Sequence, residues 1–227
     1  MARILAIGAH PDDVEIGMGG TILALKEAGH AVSICDLTNG EPTPMGTVEA
    51  RLAESKEAAR LLGVDQRWNL DLPNRYLRDT VEARIKVAEV IRRFRPDAIF
   101  MHYWSDAHPD HVAANQLAEA GRFYAKLTKT DWEGEPIFPA RIYCFFSNHF
   151  RAVFQPDYIH DISPYMERKL EALRVYRTQF NPERSNLAVF DQIKAMGMWW
   201  GNRGRFQFGE PFASREEIGL RNLEALL

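Results

Sequence analysis

The chain has 227 residues, 46% of them hydrophobic, and this is enough to bury the core of a single domain spanning residues 1–227. Its formal net charge of −3 and the lack of a basic stripe argue against nucleic-acid binding, so a small molecule is the expected partner. No apolar run reaches the roughly 18 residues of a membrane span, and the start has no signal-peptide pattern; we therefore expect a cytoplasmic protein with no membrane partner.

The first half of the chain alternates segments that favour strands with segments that favour helices. The apolar run 3–9 is typical of a strand buried on both faces, and helical spacing over 16–28 ends at Gly29. Further strands are predicted at 31–37, 68–72 and 98–102, and further helices at 48–62, 80–94 and 111–128. This alternation predicts an α/β fold, a doubly wound, mostly parallel Rossmann-like sheet with helices on both faces.

The second half has a less regular pattern. Strands are predicted at 141–146 and 158–161, a helix at 163–177 and a short helix after Ser214. The stretch 197–206 is aromatic and interrupted by glycines, and we interpret it as a loop near the site or at a subunit contact.

Three loops follow predicted parallel strands, and ligands of open α/β sheets bind at the carboxyl ends of such strands. They are His10-Pro-Asp-Asp-Val-Glu, Thr38-Asn-Gly-Glu and His108-Pro-Asp-His111. Two of the three are rich in histidine and aspartate, the side chains that bind metals. Asn39, on the middle loop, is a candidate for binding the substrate.

Catalytic zinc takes three protein ligands, usually imidazole or carboxylate, and keeps one position open. His10 and Asp13 lie three residues apart on one loop and can bind one ion together. His111, at the start of a predicted helix, is the natural third ligand. The sequence therefore predicts Zn²⁺ bound by His10, Asp13 and His111, although iron or manganese would be compatible with the same donors.

The same loops offer groups for acid and base chemistry. A water molecule acidified by zinc still needs a base that does not bind the metal, and Asp12 is placed for that role. His108 is expected to stabilise the negative charge on an attacked amide oxygen, or to protonate the departing amine. Asp110 is expected to hold the His108 ring in one tautomer and keep it charged.

Simpler interpretations exist for each motif. His-Pro-Asp-Asp alone could be an Asx-type helix cap, and His-Pro-Asp-His is short enough to occur by chance. Their joint occurrence after two parallel strands favours a site. Gly17, Gly19 and Gly20 do not form the Gly-x-Gly-x-x-Gly pattern of a dinucleotide loop, and we expect them to allow close packing of a helix on the sheet.

The long motif Ala9-His10-Pro-Asp-Asp-Val-Glu-Ile-Gly-Met-Gly-Gly-Thr21, with the later motif 108–111, closely resembles the PIG-L/LmbE-like zinc-dependent N-acetylglucosamine deacetylases. The segment Tyr176-Arg-Thr-Gln179 is similar to a late element of that family, with Thr178 in place of the usual serine. The resemblance implies the same ligands, base and histidine partner as the residues themselves suggest.

Within that family, the chain length and the segment 210–221 resemble the bacterial branch that deacetylates N-acetylglucosaminyl-malate in bacillithiol synthesis. The resemblance implies that Arg51 binds the malate carboxylate, although a solvated charge on a helix is the simpler interpretation. It also implies a homo-oligomer, possibly a hexamer. Alternative substrates are chitin-type disaccharides and other N-acetylated glycosides, and a non-catalytic nucleotide- or sugar-binding module is the alternative of another class.

Overall fold

The structure is a computed structural model, and it describes residues 1–147, 149, 154–180 and 188–220. The described strands are β1 (Arg3–Gly8), β2 (Ala31–Thr38), β3 (Gln66–Leu72), β4 (Ala98–His102), β5 (Arg141–Phe145), β6 (Tyr158–Asp161) and β7 (Gly209–Ala213). The described helices are α1 (Asp13–Glu27), α2 (Val48–Leu62), α3 (Val81–Phe94), α4 (Pro109–Ala125), α5 (Met166–Arg174) and α6 (Ala188–Gly204), with a 3₁₀ turn at Ser163–Tyr165.

These strands form one sheet in the order β3-β2-β1-β4-β5-β7-β6. The first five strands pair in parallel, whereas β7 pairs antiparallel with both β5 and β6. The chain order reverses between β1 and β4, which are neighbours in the sheet. Such a reversal opens a crevice at the carboxyl ends of the two strands, where ligands of this fold class bind.

Both faces of the sheet are covered, as the continuous apolar run of β1 predicts. Leu5 and Ile7 belong to a core cluster with residues of α3 and α4, while Ile4 and Ala6 belong to a second cluster with residues of α1, α2 and α5. Successive side chains of a strand point to opposite faces, so one strand supplies both cores. The predicted doubly wound α/β fold is confirmed.

Local signals fix several helix ends. Thr47 and Thr80 accept hydrogen bonds from the backbone N–H groups of Ala50 and Ala83, and so cap α2 and α3. Gly63 ends α2 with a φ of 71°, a left-handed conformation that glycine adopts without a steric penalty.

Helix α1 differs from its sequence prediction, because it begins at Asp13 and is broken at Met18. The residue before it, Asp12, has a φ of 111°, and this turn starts the helix directly behind the loop of predicted ligands. Met18 has φ −148° and ψ 21°, which are not helical values. The predicted role of the glycines holds at two positions, since a Cβ on Gly17 or Gly20 would collide with Phe145 or Ile162.

The interpretation of 197–206 as a loop is wrong, because α6 continues to Gly204. The glycines within α6 do not end the helix but allow neighbouring segments to pack closely against it. A Cβ on Gly197 would meet Met166, and one on Gly201 would meet the backbone of Phe208. Helix propensity alone undervalues glycine where another segment crosses this closely.

Strand β7 was not predicted, because its sequence, Gly-Glu-Pro-Phe-Ala, contains a glycine and a proline and has no alternation of apolar and polar residues. The predicted helix 163–177 is a 3₁₀ turn followed by α5, which ends at Arg174. No helix lies within 214–220, and the rest of the predicted C-terminal helix falls outside the described residues. Among the described helices, none is long and apolar enough to cross a bilayer.

Candidate active site

The two loops rich in histidine and aspartate meet in a cleft of about 470 Å³. The cleft is lined mainly by residues of the loops after β1, β2, β3 and β4 and of helices α2 and α6. Six of the predicted site residues line the cleft: His10, Asp12, Asp13, Arg51, His108 and His111. The other two, Asn39 and Asp110, do not.

His10, Asp13 and His111 form a compact cluster, with donor atoms that all lie within 4.8 Å of one another. The Nδ1 atom of His10 is 3.1 Å from Asp13 Oδ2, and the Nε2 atom of His111 is 3.2 Å from Asp13 Oδ1. All three residues are buried. The cluster has the donor types and spacing to hold a divalent metal ion.

The outer nitrogen of each histidine faces a second carboxylate. His111 Nδ1 is 3.0 Å from Asp106, and His10 Nε2 is 3.2 Å from Asp110. Such partners fix the tautomer and leave the inner nitrogen free for a metal. The inner Nε2 of His111 is buried and has no hydrogen-bond partner, which is the environment that a bound cation would complete.

The electrostatics of the cluster also favour a cation. Burial lowers the pKa of both histidines, but nearby carboxylates, chiefly that of Asp13, outweigh it and raise the pKa of His10 to about 9 and of His111 to about 10. Burial likewise opposes ionisation of Asp13, yet His111, His102 and His10 hold its pKa well below the usual value. The site attracts positive charge, whether protons or a metal ion.

Asp12 lies beside the cluster but is not part of it. Its carboxylate is 3.1 Å from the Nη2 atom of Arg51. Burial is the main cause that raises the pKa of Asp12 to about 7, and the negative charge of Asp13 raises it further. The positive charge of Arg51 lowers this pKa, but by less than burial raises it. A carboxylate with this pKa can take up and release a proton near neutral pH.

Arg51 is buried, with 3% of its surface exposed, so the simpler interpretation as a solvated helix charge is wrong. Besides pairing with Asp12, its guanidinium donates to the carbonyl of Pro11 and lies over the ring of Tyr176, 5.5 Å from the centroid. These contacts commit Arg51 to the loop that carries Asp12. Binding of a substrate carboxylate by Arg51 stays a prediction.

The structure corrects the expected relation between His108 and Asp110. The backbone N–H of Asp110 donates to Nδ1 of His108 at 3.2 Å, whereas the Asp110 carboxylate contacts His10 Nε2 and the backbone N–H of Arg75. Burial, with the neighbouring His111 and His10, lowers the pKa of His108 to about 4. His108 is therefore neutral at pH 7, with its proton on Nε2, instead of being held charged by Asp110.

Asn39 does not line the cleft. Its side-chain amide donates to Asp71 at 2.7 Å, and its carbonyl oxygen accepts from the backbone N–H of Glu41 at 2.8 Å. Both ends of the side chain thus hold the loop after β2 in place, and contact of Asn39 with the substrate stays a prediction.

A buried ionic network around Glu15 was not predicted from the sequence. Glu15 accepts from both Arg67 and Tyr176 at 2.6 Å, and Arg67 also makes a two-point contact with Asp36. Glu15 is part of the long first motif, so its burial could have been suspected. Arg67 gave no signal, because nothing in its strand separates an inward arginine from a solvated one.

Four other residues near the cluster were also missed: Arg75, His102, Asp106 and His149. Arg75 and His149 line the cleft, and the His102 ring stacks on His111 with centroids 4.1 Å apart. Asp106 could have been found, because it precedes the second motif on the same loop. The others come from a strand end or from loops without a metal-binding pattern.

A buried cluster of two histidines and one aspartate, with a separate carboxylate beside it, lies at the crevice of a doubly wound sheet. These features define a metal-dependent hydrolase of the α/β class. A family model described as "PIG-L: GlcNAc-PI de-N-acetylase" matches residues 5–121. The chain belongs to this family.

Three similar proteins show the extent of the likeness. The diacetylchitobiose deacetylase of Thermococcus kodakarensis is 31% identical over 221 residues, 92% of this chain and 81% of that protein. A probable N-acetyl-alpha-D-glucosaminyl L-malate deacetylase 2 of Bacillus anthracis is 28% identical, over 78% of this chain and 81% of that protein. The crystal structure of the conserved protein TT1542 from Thermus thermophilus matches with a TM-score of 0.89 and 38% identity, covering 97% of each chain.

The predicted family is confirmed by these matches. The predicted enzyme class, an amide hydrolase of the deacetylase type, is confirmed at the same level.

Proposed function

We propose that the protein is a zinc-dependent hydrolase that removes the acetyl group from an N-acetylglucosamine-containing small molecule, with N-acetylglucosaminyl-malate of bacillithiol synthesis as the favoured substrate. The observation that carries the proposal is the pairing of the buried cluster His10, Asp13 and His111 with an adjacent carboxylate, Asp12, that the cluster does not use.

Zinc is the favoured metal because two imidazoles and one carboxylate, each histidine backed by a second carboxylate, are a common donor set for catalytic zinc. Such an ion supplies Lewis-acid chemistry, which polarises an amide carbonyl and makes a water molecule more acidic. Iron and manganese remain alternatives with the same ligands.

Asp12 is proposed as the general base that accepts a proton from the attacking water on its carboxylate. The Nη2 atom of Arg51 lies 3.1 Å from this carboxylate and helps to fix its position. His108 carries its proton on Nε2, since Nδ1 accepts from the backbone N–H of Asp110. That N–H can donate a hydrogen bond to the developing oxyanion. The proton that Asp12 takes from the water can then pass to the departing amine.

Two substrates remain in competition. The Bacillus relative favours the malate glycoside, and the Thermococcus relative, at higher identity and coverage, favours a chitin-type disaccharide. A cleft of about 470 Å³ has room for a sugar and a small attached group. The non-catalytic sugar- or nucleotide-binding alternative is disfavoured, because a binding module does not need a buried carboxylate that lies beside its metal ligands without being one of them.

The test is release of free amine and acetate from N-acetylglucosaminyl-malate and from N,N'-diacetylchitobiose, using metal-free protein and protein reloaded with zinc. Zinc-dependent turnover of either compound is expected, with the malate glycoside preferred. A protein that binds zinc stoichiometrically but hydrolyses neither compound, nor any other N-acetylated glycoside, would contradict the proposal.

A further inference from the structure

Arg75 lies on the wall of the cleft, on the loop between β3 and α3. It is an exposed residue, in contrast to Arg51 and Arg67, whose side chains are buried. It therefore presents a positive charge to whatever enters the cleft next to the ligand cluster.

The residue is fixed at both ends. Its backbone N–H donates to Asp110 Oδ2 at 2.7 Å, and Asp110 in turn supports His10. Its Nη2 donates to the carbonyl of Pro42 at 2.6 Å, on the loop after β2. The backbone φ of 67° is left-handed, a conformation that costs free energy in an arginine and is kept only where the surroundings impose it.

The charge of Arg75 has no counter-ion among the described residues. Arg51 pairs with Asp12, and Arg67 pairs with Asp36 and Glu15, but no carboxylate in the described part of the chain forms an ion pair with the Arg75 guanidinium. Only one of the five N–H donors of a guanidinium is used by Pro42. The planar group is thus positioned but keeps most of its donors for a ligand.

We infer that Arg75 is the receptor for an anionic group, a carboxylate or a phosphate, on the part of the substrate attached to the N-acetylglucosamine unit. The inference rests on the proposed function and names the substrate class that the cleft selects. A forked guanidinium suits either anion. Arg51 also lines the cleft, and its Nε and Nη1 atoms have no hydrogen-bond partner, but the residue is 3% exposed and its charge is already paired with Asp12. Arg75 is therefore the arginine of the cleft whose charge is left for an anion.

The experiment compares Arg75→Gln and Arg75→Lys with the wild-type enzyme on three substrates: N-acetylglucosaminyl-malate, N-acetylglucosamine 1-phosphate and neutral N,N'-diacetylchitobiose. The measured quantity is the ratio of kcat/KM for each anionic substrate to that for the neutral one. In Arg75→Gln we expect the ratio to fall roughly 10- to 100-fold, mainly through KM, because a charged hydrogen bond is lost. Lysine keeps the charge without the fork, so a smaller fall is expected.

Arg78→Gln is the matched control, since Arg78 is an exposed arginine on the same loop that does not line the cleft. It removes the same charge and should leave the ratio unchanged. In wild-type enzyme, added salt should raise KM for the anionic substrate that Arg75 binds, and this dependence should weaken in Arg75→Gln. Arg51→Ala should lower turnover of all substrates alike, because it removes the partner of Asp12.

A fall in the ratio for the malate or for the phosphate substrate identifies which anion is bound. Three outcomes would overturn the inference and leave the deacetylase proposal intact. The first is an unchanged ratio in Arg75→Gln, and the second is an equal fall of the ratio in Arg78→Gln. The third is a wild-type enzyme that accepts only the neutral disaccharide. If the zinc-loaded wild-type enzyme hydrolyses none of these substrates or other N-acetylated glycosides, the proposed function fails, and this inference fails with it.

Discussion

Asp12 and Asp13 are adjacent carboxylates with opposite pKa shifts. Burial raises the pKa of Asp12 to about 7, whereas three histidines hold the pKa of Asp13 well below its usual range. Neighbouring carboxyl groups whose environments push their pKa values apart can take different roles in one reaction. Here the contrast supports Asp13 as a permanent anion that binds metal and Asp12 as the group that exchanges a proton.

Asp12→Asn tests this division. The variant keeps nearly the same volume and leaves the ligand cluster untouched, so we expect one metal ion per chain and a kcat reduced by a factor of roughly 10²–10⁴. Metal content is measured by elemental analysis and turnover by amine release. Asp131→Asn, an exposed change on the loop after α4 and away from the cleft, is the control. Full activity in Asp12→Asn would rule out its role as base.

Metal binding should release protons. In the metal-free protein the pKa values of about 9 for His10 and about 10 for His111 mean that both rings are protonated at pH 7, and a metal ion must displace these protons. We therefore expect release approaching two protons per metal at pH 7, and an apparent affinity that rises with pH until these groups have titrated. Calorimetry in buffers of different ionisation enthalpy measures the release.

The control for that measurement is His10→Ala, in which the release should fall to about one proton per metal. Metal binding at pH 7 with no proton release would show that the histidines are already neutral, which contradicts the electrostatic account of the cluster.

A buried ion pair between α5 and β7 stabilises the break in helix α1. Lys169 Nζ donates to the carbonyl of Ile16 at 2.7 Å, and Glu210 accepts from the backbone N–H groups of Gly20 and Thr21. Lys169 and Glu210 also pair with each other at 2.7 Å. The pair satisfies main-chain groups around the non-helical Met18, and so holds the helix that starts with Asp13.

Glu210→Gln should destabilise the protein by about 3–5 kcal/mol, because it leaves the charge of the buried Lys169 without its partner. Chemical denaturation of the metal-free protein measures the change. Glu167→Gln is the control, since Glu167 forms an exposed ion pair with Lys194 and should have little effect. A loss of stability in Glu210→Gln no larger than in the control would show that the ion pair does not support α1.

Some of the contacts within the site follow from the order of strands and helices in the sequence, and others do not. His10, Asp13 and His111 come together because parallel strands end at the same edge of a sheet, and this follows from the alternation of strands and helices. The contact between Asp110 and His10 could not be predicted, since the orientation of the Asp110 side chain decides whether it reaches His10 or His108. The role of Asn39 and the helix through Gly201 depend on contacts with distant segments, and sequence periodicity does not report such contacts.

For the whole molecule, assembly into a homo-oligomer stays a prediction. Helix α6 exposes Met198 and Trp199, with 54% and 62% of their surface accessible, and the same helix lines the cleft through Val189. Large apolar side chains exposed next to each other are typical of interaction surfaces. We expect sedimentation to give a multiple of the chain mass of 26.0 kDa.

Trp199→Glu should shift the protein towards smaller species, because it places a charge in that apolar surface. Phe123→Glu, on α4, alters another exposed aromatic residue and serves as the control. A wild-type protein that sediments at 26.0 kDa over a wide concentration range would show that the prediction is wrong.

The position of β7 has a consequence for biosynthesis. This strand is made after all the other described strands, yet it lies between β5 and β6, and it carries Glu210. His10 and Asp13 are made about two hundred residues before Glu210, and His111 about a hundred residues before it, at a time when the break in α1 still lacks its carboxylate partner. Because segments fold from the N-terminus during translation, the nascent chain would hold an immature metal site until β7 inserts. Metal loading would then be a late event, coupled to closure of the sheet.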